Sequence, residues 1–116
     1  MKISILLPYK ENFSPNYAGA VSLFIKDVSQ ISKYKKIICV YGSTDFKKTF
    51  PLKYINLKLN KEFISSHSKA YINEFVKLEK TNKSNIIEIH NRPSYLNHLI
   101  KEQITSRFIL YFHNDP

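Results

Sequence analysis

Ile86-Ile87-Glu88-Ile89-His90-Asn91 and Phe108-Ile109-Leu110-Tyr111-Phe112-His113-Asn114-Asp115-Pro116 are two apolar runs, and each gives way to His-Asn. Uninterrupted apolar runs of strand length suit a parallel sheet buried on both faces. In open α/β sheets of that kind, ligands bind just past the carboxyl ends of the strands. The two matched ends therefore predict a fold class and the place where its chemistry would sit.

Working outward, five apolar segments alternate with amphipathic ones, the pattern of βαβ repetition. The first strand is expected from Ile3 to Leu7, stopped by Pro8. Gly19-Ala20 opens a helix that ends near Ser32, with Val21, Phe24, Ile25, Val28 and Ile31 spaced as one buried stripe. Strand two is expected from Lys36 to Tyr41 and strand three from Tyr54 to Leu59. In strand three Asn56 and Lys58 interrupt Ile55, Leu57 and Leu59, so that strand belongs at a sheet edge with one wet face. Lys61 to Lys80 reads as a long helix with Phe63, Ile64, His67, Tyr71, Phe75 and Leu78 inward. Strand four is Ile86 to Ile89. Pro93 then stands at the first turn of a third helix carrying Tyr95, Leu96, Leu99 and Ile100, and strand five is Phe108 to Phe112. The expected fold is a Rossmann-like α/β domain spanning residues 1–116: about five parallel strands in the order 3-2-1-4-5, with helices on both faces. Strand five is apolar throughout and needs cover on both sides, so we expect an incomplete domain, truncated after that strand.

Composition narrows the function classes. At 116 residues with 43% hydrophobic and 14% aromatic content, the chain can hold one ordered core. The single cysteine, Cys39, falls within an apolar run and reads as a buried, inert thiol. The apolar start Ile3 to Leu7 meets Pro8 before a signal-peptide core develops, and no run approaches a membrane span. The expected location is cytoplasmic. A net charge of +9 favours anionic partners such as nucleotide phosphates or the acidic face of a membrane. No nucleic-acid-binding signature is present, so no nucleic-acid partner is expected. Lys33, Lys35 and Lys36 around Tyr34 read as a solvated helix end.

Gly19 and Gly42 are the only glycines, which rules out both G-x-G-x-x-G and the P-loop pattern. No D-x-D pair exists and the four histidines lack metal-ligand spacing, so no metal site and no cofactor are expected. No G-x-S-x-G elbow is present, and Cys39 lies mid-strand, which leaves nucleophilic hydrolysis little support.

The remaining candidates belong to one crevice. Gly19 follows the long loop Tyr9 to Ala18 at a helix start, where free N–H groups and the helix dipole would meet a phosphate. In the expected strand order, Gly19, His90 and His113 share the topological switch point. His90-Asn91 and His113-Asn114-Asp115 would supply imidazoles, amides and a carboxylate there, with His113 able to orient a hydroxyl or donate to developing charge. Glu88, within an apolar strand, must find a partner or a proton. Glu11 reads as a solvated loop acid, His67 as a satisfied core ring and His98 as an exposed helix residue.

These residues resemble the amino-terminal domain of a family 4 glycosyltransferase of GT-B architecture. The likeness rests on Lys2-Ile3-Ser4-Ile5-Leu6-Leu7-Pro8, on Tyr17-Ala18-Gly19-Ala20 at a helix start, on the strand ending in His90, and on Ile109-Leu110-Tyr111-Phe112-His113-Asn114-Asp115. Where family members often carry two adjacent glycines, this chain has Ala18-Gly19. The resemblance implies transfer of a sugar from a nucleotide-diphosphate donor to a glycan or lipid-linked acceptor of the cell-surface polysaccharide type. It implies that His113 lies beside the donor sugar as the catalytic histidine, and that Gly19, His90, Asn91, Asn114 and Asp115 bind substrate. The nucleotide and an acidic E-x7-E motif belong to a carboxyl-terminal domain missing from these residues. The isolated chain is therefore expected to be inactive, with peripheral contact at the inner face of an anionic membrane as a further expectation. The alternative reading is a non-catalytic α/β module that docks a partner through the uncovered last strand. A third is a basic adaptor for membrane or nucleic acid.

Overall fold

All five apolar segments become strands of one parallel sheet in the computed structural model, which describes residues 1–59 and 66–113. In chain order the elements are β1 (Ile3–Leu6), α1 (Ala20–Ile31), a 3-10 turn (Lys35–Ile37), β2 (Ile38–Gly42), β3 (Tyr54–Asn56), α2 (His67–Thr81), β4 (Ile86–His90), α3 (Pro93–Lys101) and β5 (Arg107–Tyr111). The sheet order is β3-β2-β1-β4-β5, the Rossmann-like 3-2-1-4-5 arrangement expected from the sequence. Residues 60–65, including the predicted helix positions Lys61, Phe63 and Ile64, lie outside the described residues, as do Asn114, Asp115 and Pro116.

Alternation along each strand divides the core into two layers. Leu6, Cys39, Tyr41, Ile87 and Ile89 face α2 and α3 and bury Tyr71, Phe75, Tyr95 and Leu99, with Phe108 and Leu110 of β5 packed against them. Ile3, Ile5, Leu7, Ile38 and Val40 face the other way, onto Val21 and Ile25 of α1 and onto Phe13 and Phe50 from the loops. Cys39 is buried, and that burial pushes its thiol pKa up, in keeping with an inert side chain.

Several sequence expectations shift by a residue or a face. Strand two starts at Ile38 rather than Lys36, because Lys35–Ile37 closes a 3-10 turn, with the Ile37 N–H donating to the Tyr34 carbonyl. Strand three ends at Asn56, whose carboxamide oxygen accepts from Thr44 N–H and Tyr54 Oη–H. The stripe on α1 is only half buried: Val21 and Ile25 are covered, while Phe24, Val28 and Ile31 are exposed. On α2 and α3, Leu78 and Ile100 are also exposed.

Buried polar side chains close the two rims. Tyr71 Oη donates to the carbonyls of Leu7 (2.7 Å) and Tyr41 (3.2 Å), tying α2 to the carboxyl ends of β1 and β2. At the opposite rim the buried Glu79 carboxylate accepts from Ser84 N–H (2.9 Å) and Ser84 Oγ–H (2.8 Å), with Lys2 Nζ 3.7 Å away. Nothing in the spacing of α2 marked Glu79, an acid among apolar neighbours whose partners lie five residues on and at the amino terminus.

Candidate functional site

Parallel pairing brings the carboxyl ends of β1, β4 and β5 to one rim: Leu6 stands opposite Ile89, and His90 opposite Tyr111. Beyond that rim lies a crevice of about 490 Å³ lined by Pro8, Tyr9, Lys10 and Glu11 from the loop after β1, Ala20 and Val21 of α1, Asn91 and Arg92 after β4, and His113 after β5. The loop is pinned by Tyr9 N–H, which donates to Tyr95 Oη of α3 (3.1 Å). A lysine, an arginine and a glutamate thus line one space large enough for a small ligand, with Arg92 Nη1 also donating to the Asn91 carbonyl (2.8 Å).

His113 is held from three directions. Its N–H donates to Asn91 Oδ1 (2.8 Å), while Asn91 N–H donates to the Tyr111 carbonyl (2.8 Å), so the two strand ends clasp each other. Asn91 makes both bonds from a left-handed backbone, φ 58°, a conformation that asparagine tolerates better than most residues. Phe24 of α1 packs edge-on against the His113 ring with centroids 5.0 Å apart. The third hold comes from His90, whose Nδ1 lies 2.7 Å from His113 Nε2. His90 is fully buried, its ring stacked on Tyr111, and its Nε2 lies 3.2 Å from Glu88 Oε1. Glu88, His90 and His113 therefore form one continuous hydrogen-bonded chain leading out to the crevice. Burial and then the neighbouring His90 hold the His113 pKa below the ordinary histidine value, with Glu11 acting in the opposite direction.

The environment of Gly19 departs from the expectation of open helix N–H groups. Gly19 is the N-cap of α1 and has no side chain to cap with, so the Glu11 carboxylate takes that place and accepts from Ser22 N–H (3.1 Å). A Cβ at Gly19 would overlap that carboxylate. Glycine is needed here for the close approach of Glu11, since its φ of −74° is open to any residue. Glu11 is thus half-buried and bonded, not a solvated loop acid.

The strand order puts His90, Asn91, His113 and the start of α1 at one rim, as the sequence had suggested. His90 reaches the crevice only through His113, because its own ring is enclosed. Asn114 and Asp115 are outside the described residues. Glu88 finds the partner that its position demanded, and that partner is His90. His67, expected as a core ring, is exposed on the first turn of α2, with its ring edge-on to Tyr9. His98, expected to be exposed, is half-buried with its Nε2 2.9 Å from Asn73 Oδ1 of α2. Lys10 and Arg92 were overlooked because an isolated cation in a chain of net charge +9 carries no signal of its own. Their adjacency to Tyr9 and Asn91 at two strand ends was the available clue. Among the described residues no group of three His, Cys, Asp or Glu side chains could hold a metal ion, and no helix is long and apolar enough to cross a membrane. Set against protein-family models, curated proteins and solved structures, the chain matches none of them.

Proposed function

We propose that this chain is the acceptor-side domain of a glycosyltransferase that moves a sugar from a nucleotide-diphosphate donor to a glycan or lipid-linked acceptor, working with a second domain that holds the nucleotide. One observation supports this reading above the others. A histidine held at its backbone and at one ring nitrogen lines a crevice at the strand-order switch point, together with Lys10 and Arg92. Crevices at that point are where open α/β sheets take ligands. Two cations suit a diphosphate, and a fixed imidazole suits a sugar hydroxyl. Glu11 gives the crevice a carboxylate, so anionic donor and neutral acceptor would occupy different ends of it. In this reading His113 is the catalytic residue, Asn91 and His90 act through it, and Gly19 admits Glu11.

The test is His113→Ala in the full-length protein, assayed for transfer of labelled sugar from a nucleotide-diphosphate donor. A fall of about 10²- to 10⁴-fold is expected, the usual range for a positioned proton-transfer group, with the far-UV circular dichroism of the folded protein retained. Near-normal turnover would end the proposal. Because its pKa is lowered, His113 stays neutral as pH falls through the ordinary histidine value of about 6.5. Transfer that needs the neutral ring should therefore persist below that pH and fail only at more acidic values.

A second reading, docking of a partner on the last strand, is favoured by one feature: Ile109, Tyr111 and Phe112 are 39%, 41% and 48% exposed. It predicts that changes at Ile109 disturb assembly while His113→Ala does not.

A further inference from the structure

A carboxylate can only accept hydrogen bonds, and a neutral imidazole has one donor nitrogen and one acceptor nitrogen. With His90 neutral and Glu88 ionised, those two rules fix where the protons lie along the chain from β4 to the crevice. If the His90 proton were on Nδ1, its bare Nε2 would face the Glu88 carboxylate, lone pair to lone pair, at 3.2 Å. The proton of His90 therefore sits on Nε2 and is donated to Glu88. His90 Nδ1 is then an acceptor, and the 2.7 Å contact must be filled by a proton from His113 Nε2. That leaves His113 Nδ1 without a proton, and among the described residues it has no protein partner. A half-turn of the ring would put Cε1 where Nε2 stands and so break the bond to the buried His90.

We infer that Glu88 and His90 are positioning residues that lock His113 in the tautomer protonated at Nε2, so that Nδ1 presents a lone pair to the crevice and accepts a hydrogen bond from a ligand hydroxyl. This rests on the reading of the crevice as a sugar site and specifies it further: His113 meets its ligand as an acceptor, not as a donor to negative charge. A carboxylate mid-strand in β4 then has a function that an apolar side chain could not supply. The site selects ligands that offer an O–H at that point, and an analogue lacking the proton, such as a methyl ether, leaves the nitrogen unpaired.

Two-dimensional ¹⁵N–¹H spectra of the protein labelled at histidine nitrogen, recorded near neutral pH, read the tautomer directly, without activity or ligand. The expected His113 pattern is a pyrrole-type Nε2 and a pyridine-type Nδ1. The Glu88→Leu variant removes the acceptor that faces His90 Nε2, and Glu88 is partly exposed, so the fold should tolerate it. In that variant His113 should become a mixture with a measurable Nδ1–H population. A wild-type ring protonated at Nδ1, or a variant whose pattern is unchanged, overturns the inference. Sugar transfer is scored separately. A locked tautomer in a protein without transferase activity would sink the functional reading and leave the proton assignment standing. Active transfer with the opposite tautomer would do the reverse.

Discussion

The two faces of the sheet are built from similar strands and treated very differently. On the α2/α3 face Ile87 and Ile89 are fully buried, and Phe108 and Leu110 of β5 pack into the same layer. On the α1 face a single helix covers β1 and β2, while β4 and β5 offer Glu88, Ile109 and Tyr111 beside a helix whose Phe24 and Val28 remain exposed. Glu88, His90, Tyr111 and His113 all project on this second, half-covered face. The contrast shows how one strand can serve two ends. β4 gives Ile87 and Ile89 to stability and Glu88 and His90 to a polar chain, and the period of two keeps these assignments separate. A hydrogen-bonded chain of titratable groups costs little where solvent and a crevice are near, and would cost far more inside the sealed layer.

The sharpest way to break this contrast is to empty the closed face. Ile89→Ala removes a side chain with no exposure, at the strand between β1 and β5, and should destabilise the fold by about 2–5 kcal/mol. Urea unfolding followed by far-UV circular dichroism checks it. With ordinary domain stabilities of about 5–15 kcal/mol, the midpoint should move by a large fraction of its value. A loss below about 1 kcal/mol would mean that the layer is not tightly packed.

Next in size is Tyr71→Phe, which keeps the ring in the closed layer and removes only the hydroxyl that serves the Leu7 and Tyr41 carbonyls. Tyr41 O also accepts from Leu7 N–H at 2.9 Å, so the Leu7 carbonyl loses more. The expected cost is about 1–3 kcal/mol, the range for leaving a buried acceptor short of its partner. The same titration measures it. An unchanged midpoint would show that water reaches that rim and that the closed face ends short of it.

How far the sequence disclosed this division depends on the length scale of each signal. Strand existence and order followed from apolar runs and βα alternation, which concern whole elements, and the three-way meeting of β1, β4 and β5 followed from that order. Facing was less legible. Phe24, Val28 and Ile31 satisfy a helical stripe, yet Ile31 is 88% exposed, because a stripe is buried only where a partner surface extends far enough to meet it. The polar chain was half legible. Glu88 and His90 stand two apart on a strand and so share a face, which the sequence displays. That His113 would close the chain required the β4–β5 register, His90 opposite Tyr111, which pattern alone does not set. The fit of Glu11 into the gap at Gly19 links residues across an irregular loop and left no periodic trace.

The smallest effect tests the open face itself. Ile109 lies on the middle strand position of β5, on the opposite side from Phe108 and Leu110, and keeps 39% of its surface in solvent. Ile109→Ala loses part of a side chain already wetted, together with some preference for strand geometry, and should cost under about 1 kcal/mol. It should leave the ¹⁵N pattern of His113 unchanged, because Ile109 is not a member of the Glu88–His90–His113 chain. The comparison with Ile89→Ala is informative because both remove the same atoms from neighbouring strands. If the two variants lost similar stability, Ile109 would have to be covered in solution. A dependence of the unfolding midpoint on protein concentration would then assign the cover to a second copy of the chain.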